Sequence, residues 1–121
     1  MAEPSVPTDR AAARRALDRE FAAGLGERTA TLRTALVACA GVFAAAEVET
    51  LYYRAHALKG TAASYGAHEL VEPAARLAAI GRGWLERRTT DAQEHAAAVA
   101  ALDDLEAAVA SYRVRIGATA P

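Results

Sequence analysis

Cysteine, proline and aromatic residues are scarce in this chain. Its 121 residues include one cysteine, four prolines, one tryptophan, four tyrosines and two phenylalanines. The lone Cys39 excludes an internal disulfide and has no neighbouring zinc ligands, so we expect it to be a small buried apolar side chain. Because β-branched and aromatic residues are sparse and 34 residues are alanine, the composition favours helix over strand. The sequence therefore predicts an all-α protein.

Blocks of like charge and long apolar runs are also missing. The chain carries 14 basic and 15 acidic residues, for a formal charge of −1, and they form no basic stripe for a nucleic acid. The longest uncharged stretch, residues 34–46, is shorter than the roughly 20 apolar residues that cross a bilayer. Residues 1–20 contain charges throughout and no apolar block of a secretory signal. We expect no nucleic-acid partner, no membrane span and a cytoplasmic protein.

The length corresponds to one domain, too small to include a kinase catalytic domain as well. Residues 1–7 contain two prolines and no apolar periodicity, which predicts a disordered tail before a single helical domain over 8–121. Gly24 and Gly26 then interrupt the first apolar stripe, so it predicts either one bent helix or a short helix followed by a longer one. The stripe consists of Leu17, Phe21, Leu25, Leu32 and Leu36.

Three further helices are predicted. The first spans residues 47–65 and ends at Gly66, and the second spans 68–82 and is weakened around Gly81. The third begins at a capping box, Thr90-Asp91-Ala92-Gln93, and continues almost to the C-terminus. The simplest packing of the apolar stripes is an antiparallel four-helix bundle with a short N-terminal accessory helix.

Several other side chains are expected to have structural roles or to face solvent, and not to form a second site. Trp84 and Tyr112 are expected to pack in the core or at its rim. His95 lies in the polar first turns of the last helix and is expected to face solvent. Asp103 and Asp104 are neighbours on a helix and therefore point apart, which disfavours acid–base catalysis by the pair.

The segment around His56 is the most distinctive part of the chain. At 100° per helical residue, Lys59 lies about 60° to one side of His56, Gly60 about 40° to the other, and Ala63 about 20° away. These residues share one face, and Leu51, Leu58 and Ala62 lie opposite them. The imidazole is therefore predicted to point outward from the apolar core.

That face suits phosphoryl transfer. An ordinary histidine has a pKa of about 6.5, so it offers a neutral nucleophilic nitrogen at cytoplasmic pH. Lys59 supplies positive charge for phosphoryl oxygens, and Gly60 and Ala63 are small enough for a partner's active site to close over His56. Tyr52, one turn before His56, is the first candidate for a docking contact.

The sequence His56-Ala-Leu-Lys-Gly-Thr-Ala-Ala-Ser-Tyr-Gly66 resembles the phosphoacceptor motif of histidine-containing phosphotransfer (HPt) domains. That motif reads roughly H-x-L-K-G-small-small-x-x-apolar-G. The resemblance implies that the distal imidazole nitrogen of His56 accepts the phosphoryl group, that Lys59 binds it, and that Gly60 permits close approach.

The same resemblance implies a phosphocarrier of a two-component phosphorelay and not a kinase. Its partners would be receiver domains of response regulators and a hybrid sensor histidine kinase. The receiver would hold the Mg²⁺ ion, and the chain itself would bind no metal or cofactor. We expect such a carrier to be monomeric.

One position departs from the family pattern. Many HPt domains carry Gln or Glu just after a leucine of the following helix, where it bonds to the acceptor imidazole. Here Leu77 is followed by Ala78. The remaining candidates for orienting the His56 ring are Arg76 and a water molecule.

Three alternatives stay open. The sequence His68-Glu-Leu-Val-Glu-Pro73 resembles the dimerisation box of histidine kinases, although Val71 and Glu72 replace the usual basic and small polar residues and no ATP-binding box follows. The second alternative is a helical adaptor that binds a receiver or kinase without being phosphorylated. A chance surface histidine is disfavoured by Gly60, which costs a helix about 1 kcal/mol.

Overall fold

The computed structural model describes residues 6–118, with side chains described from residue 9 onward. Of the predicted tail over residues 1–7, residues 1–5 lie outside the described part, and Val6 and Pro7 already belong to the first helix. Each helix packs against the next along the chain, and the last closes the ring against the first, which confirms the four-helix bundle. The elements are α1 (Val6–Ala38), α2 (Ala45–Ser64), a 3-10 turn (His68–Leu70), α3 (Val71–Arg87) and α4 (Ala92–Arg115).

Helix α1 is continuous, so the predicted accessory helix is the N-terminal part of a single long helix. Its 33 residues span roughly 50 Å at 1.5 Å per residue. The glycines do not break it, and Arg113 of α4 reaches its backbone there and donates to the carbonyl of Ala22 at 2.8 Å. This guanidinium lies beside Gly26, at an ordinary contact distance of 3.8 Å from where a Cβ atom would be.

The N-terminal part of α1 lies on the surface. Leu17, predicted to belong to the core stripe, is 48% exposed, so that prediction is wrong. Among the described side chains of α1, burial begins at Phe21. The Phe21 ring stacks on Tyr65 at the end of α2, with centroids 4.5 Å apart. Because this aromatic pair closes the core, residues 9–20 extend along the surface beyond it.

Helix α2 ends where the sequence predicted. Gly66 has a φ of +69°, a left-handed conformation that would strain any side chain. The N–H of Gly66 donates to the carbonyl of Ala63 at 3.1 Å, and the N–H of Ala67 donates to Ala62 at 2.8 Å. These two bonds satisfy carbonyls that lack partners in the helix itself. They fix the point at which the chain leaves α2 toward α3.

Helices α3 and α4 correct two predicted boundaries. Helix α3 continues past Gly81 to Arg87, because burial of Trp84 offsets the glycine cost of about 1 kcal/mol per residue. The N-cap of α4 is Asp91 and not Thr90. Its carboxylate accepts the N–H of Glu94 at 2.7 Å, and aspartate is the stronger capping residue of the two.

Trp84, Tyr112 and Cys39 are fully buried, as predicted, and burial raises the pKa of the Cys39 thiol. His95 is half-buried, so the prediction that it faces solvent is wrong. Its Nε2 donates to the carbonyl of Leu36 at 2.8 Å, and its ring stacks on Trp84. The reason is tertiary, because α4 begins beside the end of α1, where the Leu36 carbonyl accepts the N–H of Cys39 at 3.1 Å and can accept a second hydrogen bond from His95.

Ion pairs connect α4 to the helices on either side. Arg33 of α1 contacts Asp103 at 2.8 Å and Glu106 at 2.9 Å. Arg76 of α3 contacts Asp104 at 2.7 Å. The two adjacent aspartates therefore point to different helices, as the sequence predicted.

Arg115 ties the end of α4 to the loop that follows α2. Its guanidinium donates to both carboxylate oxygens of Glu69, at 2.7 and 2.8 Å, and to the carbonyl of Gly66 at 2.8 Å. Hydrogen bonding to Arg115 lowers the pKa of Glu69 to about 2. The loop is thereby held against the bundle by a bidentate pair.

We expect Glu69→Gln to lower the free energy of unfolding by about 1 to 2 kcal/mol at neutral pH, because the amide loses a bidentate charged contact that is partly exposed. The folded-state pKa lies below the ordinary value of 4.5, so the stabilisation is complete above about pH 4.5 and disappears as the pH falls toward about 2. Urea denaturation across this range should show wild type and variant converging in acid.

The control is Glu72→Gln, because the Glu72 carboxylate is 70% exposed in its pair with Arg76. That variant should change the free energy of unfolding by less than about 0.5 kcal/mol at any pH. A Glu69→Gln deficit of equal size at neutral and acidic pH would contradict the role of the charge.

Candidate functional site

Helices α2 and α3 approach each other closely beside the His56 face. Gly81 of α3 is buried, and a Cβ atom there would lie 3.1 to 3.3 Å from Cβ, Cα and N of Tyr52. Such distances are too short for a side chain without movement of the α2 backbone. Gly81 therefore permits the close approach, and it brings the later turns of α3 next to the exposed face of α2.

His56 lies on that exposed face, and its side chain is accessible to solvent. The Tyr52 ring, one turn earlier, is 5.8 Å from the imidazole between centroids, with the planes 34° apart. The hydrogen bonds between described side chains do not involve His56. Both ring nitrogens are therefore open to a partner.

A shallow hollow of about 210 Å³ between α2 and α3 begins at this ring. Lys59, one turn after His56, and Arg82, from the later turns of α3, supply its positive charges. The other lining residues are Tyr52, Ala75, Ala78 and Ala79. Two cations beside an open imidazole, with small side chains around them, can accommodate the negative oxygens of a phosphoryl group.

Gly60 and Ala63 lie on the exposed surface of the same helix, as the sequence placed them. A Cβ atom at Gly60 would meet nothing within 4 Å. The missing side chain at Gly60 therefore serves no contact inside the described structure. Its absence leaves the surface beside His56 without a protruding side chain.

Tyr52 and Tyr53 lie beside the site and differ in their exposure to solvent. Tyr52 is half-buried and forms one wall of the hollow, between Gly81 and His56. Tyr53, which the sequence analysis did not single out, is 62% exposed, and its ring lies 4.8 Å from that of Tyr52 between centroids. The exposed aromatic surface beside His56 therefore comes from Tyr53.

Arg82 is the site residue that sequence reasoning missed. It follows Gly81 in a segment predicted to be the weakened end of a helix, and that glycine was the available signal of a close helix contact. Arg82 donates to Glu86 at 3.2 Å, with 68% and 63% of the two side chains exposed. An ion pair this exposed is weak, so the guanidinium is free to turn toward an anion in the hollow.

Among the described side chains, none forms a hydrogen bond that orients the His56 ring. Arg76 contacts Glu72 on its own helix and Asp104 of α4, each at 2.7 Å. Arg76 is therefore engaged elsewhere and its prediction as an orienting group is wrong, whereas orientation by a water molecule stays a prediction. Ala78 lines the hollow but has no polar atom in its side chain. The Tyr52 ring lies beside the imidazole, with its plane tilted by 34°.

His68 lies apart from this arrangement. It begins the 3-10 turn before α3, its side chain is 76% exposed, and its ring nitrogen is 3.9 Å from Glu69. It does not line the hollow beside His56. Pro73 is the third residue of α3, where the N–H it lacks would have no helical partner anyway. The segment therefore opens a helix, as its simpler interpretation predicted.

The charges of α2 are not neutralised by the other helices. Across residues 9–118, each ion pair between different elements includes a residue of α4. Arg54 and Lys59 of α2 take part in none of these pairs. The positive charge of Lys59, one turn after His56, is therefore not compensated by an ion pair with another helix.

Within the described part, no group of three or more His, Cys, Asp or Glu side chains is arranged to hold a metal ion. Of the helices described, none combines the length and the apolar composition that a membrane crossing requires.

Comparison with known proteins identifies a family for this arrangement. A family model described as the Hpt domain matches residues 5–112, which include every residue of the hollow. No curated protein and no solved structure gave a significant match. Hpt domains are phosphocarrier modules of two-component signalling, not kinases, and they interact with receiver domains and histidine kinases.

We expect Gly60→Ala and Gly81→Ala to change stability in opposite directions, although both replace a helical glycine. At Gly60 the methyl group meets nothing within 4 Å, so helix propensity should raise the free energy of unfolding by up to about 1 kcal/mol. At Gly81 it meets the Tyr52 backbone, and the strain should produce a net loss of about 1 kcal/mol or more. Urea denaturation measures both. Equal stability of the two variants would contradict the close contact.

Proposed function

Because the chain belongs to the Hpt domain family, it functions in phosphotransfer within two-component signalling, and we propose that His56 carries the phosphoryl group. The observation that supports this proposal is the exposed imidazole at the edge of a hollow containing Lys59 and Arg82. The group would come from an aspartate of a receiver domain, such as that of a hybrid sensor kinase, and pass to the receiver of a response regulator.

In the proposed transfer, neutral His56 presents the lone pair of Nε2, the ring nitrogen farther from the backbone, to the phosphorus atom of the aspartyl phosphate. The N–P bond forms as the bond between phosphorus and the carboxylate oxygen breaks, and the aspartate keeps the electron pair of that bond. The Nδ1 proton stays on the phosphorylated ring or passes to solvent. The reverse steps deliver the group to the next aspartate.

Lys59 and Arg82 would stabilise this transfer by electrostatics. Both line the hollow beside His56, where the equatorial phosphoryl oxygens would lie. The Mg²⁺ ion that assists the reaction would be bound by the receiver, and the chain would supply no metal or cofactor. Its contribution is the nucleophile, its position and two positive charges.

The surface around His56 would form the docking face. Gly60 and Ala63 leave space for the rim of the receiver's active site, and Tyr53 offers apolar contact area next to Tyr52. The groups named here come from one chain, so a monomer suffices. We place this carrier in the cytoplasm, where receiver domains meet their kinases.

Replacing His56 by glutamine should abolish labelling from a phosphorylated receiver while leaving the melting temperature nearly unchanged, because an exposed side chain contributes little to folding. His68→Gln is the matched control and should retain the label, which should be acid-labile and stable to base. Labelling that depends on His68 would favour the kinase-type alternative. A wild-type protein that binds receivers but never takes up label would be an adaptor.

Lys59→Ala and Arg82→Ala should each slow transfer by about tenfold or more without preventing it, because each removes one charge from the phosphoryl oxygens and leaves the nucleophile in place. Rapid-quench measurement of label transfer at saturating receiver gives the rate. Glu86→Gln is the control, since it releases Arg82 from its exposed pair and should not slow transfer. Wild-type rates in both alanine variants would remove these cations from the site.

A further inference from the structure

Helices α1 and α2 leave an open seam on the other side of α2. One hollow of about 460 Å³ lies near the loop that joins the two helices, and two of about 240 Å³ each lie farther along toward the level of His56. We define this α1–α2 seam by Glu27, Arg28 and Thr31 of α1 and by Glu47, Arg54 and Ala57 of α2.

The seam runs beside His56 without including it. Ala57 follows His56 in the chain and lines one of the nearer hollows. On the helical wheel, Ala57 lies about 100° from His56, on the side opposite Lys59. The seam and the hollow that contains Lys59 and Arg82 therefore flank the imidazole on its two sides.

The end of the seam nearest His56 is basic. Arg28 and Arg54 line both of the nearer hollows. Within residues 9–118 neither takes part in a salt bridge, and the Arg28 guanidinium is held over the Phe21 ring, 5.4 Å from its centroid. Glu27 borders one of these hollows and also the far one, which Glu47 lines as well. The seam therefore changes from mainly basic at the level of His56, where Arg54 lies about 160° around α2 from the imidazole, to acidic near the α1–α2 loop.

We propose that the basic end of the α1–α2 seam is a second docking contact, which takes an exposed helix of the receiver with acidic side chains against Arg28 and Arg54. This inference rests on the proposed function of His56. A groove between two helices, walled by alanine and threonine side chains, accepts a third helix along its length. Unpaired arginines in such a groove attract acidic side chains and repel basic ones, which discriminates between partners.

The seam therefore acts on affinity and partner choice, and the hollow on the other side of His56 acts on the chemistry. These two roles predict different kinetic effects. Losing a contact that is made equally before and during transfer weakens binding but leaves the rate at saturation unchanged. Arg28 and Arg54 should behave in this way, in contrast to Lys59 and Arg82.

The test measures transfer from one receiver at increasing concentrations of this chain, using the receiver of the source genome that labels the wild type fastest. Arg28→Glu and Arg54→Glu should each raise the half-saturating concentration about five- to tenfold, because each charge reversal replaces attraction by repulsion. The rate at saturation should stay within about twofold of wild type. Arg54→Lys keeps the charge and should resemble wild type.

Arg15→Glu is the matched control, since it makes the same charge change on an exposed part of α1 away from the seam. Circular dichroism checks folding, and direct labelling of His56 by phosphoramidate checks that the imidazole still reacts in every variant. Both measurements should give wild-type values for the two seam variants. The change in half-saturating concentration then reports on docking alone.

Each other outcome overturns the proposal in a different way. Unchanged half-saturation in both folded glutamate variants excludes the seam but leaves the phosphocarrier function standing. A reduced rate at saturation would assign the arginines to the chemical step. A wild-type dimer that Arg54→Glu dissociates would make a second copy of this chain the occupant. Failure of every receiver to label the wild type would overturn the proposed function together with this inference.

Discussion

The packing of Gly81 against Tyr52 determines the geometry of the whole candidate site. Tyr52 lies one turn before His56 on α2, and Arg82 directly follows Gly81 on α3. One contact between two backbones therefore sets how far the backbone at Arg82 lies from the helix turn that carries His56. If the helices moved apart, Lys59 and Arg82 would no longer act on the same phosphoryl group, and transfer depends on such positioning.

The remaining interactions of the bundle keep the His56 face free. Arg115 holds the loop after α2 through Glu69, and His95 satisfies a carbonyl at the end of α1. Arg113 supports the glycine-containing turn of α1. All three belong to α4, which lies diagonally across the bundle from α2. These polar contacts thus lie away from the site, so side chains on the exposed face of α2 are available for a partner.

Features that depend on a single helix were predictable from the sequence. The angular positions of His56, Lys59 and Gly60 follow from the helical period alone, and Gly66 ends α2 because its conformation suits glycine. The four helices follow in the same way from their apolar stripes. Neither result requires knowledge of how one helix is placed against another.

Features that depend on two helices were not predictable from patterns in one. Arg82 reaches the site through the register between α2 and α3, which no local pattern records. Helix α1 continues through Gly24 and Gly26, where Arg113 of α4 donates to the carbonyl of Ala22. His95 is half-buried because of where α4 begins relative to the end of α1. In each case a partner distant in sequence determines the outcome.

The distribution of charge gives the molecule an electric dipole despite its formal charge of −1. Helix α4 carries more acidic than basic side chains, whereas α1 and α3, on either side of it, carry more basic ones and α2, diagonal to α4, carries equal numbers. The positive end of the dipole therefore lies on the side of the bundle away from α4, where α1 and α3 flank the helix that holds His56. In the field of an acidic partner, the chain turns so that this end leads, and a larger share of collisions becomes productive. Salt shortens the range of that field, to about 8 Å at physiological ionic strength.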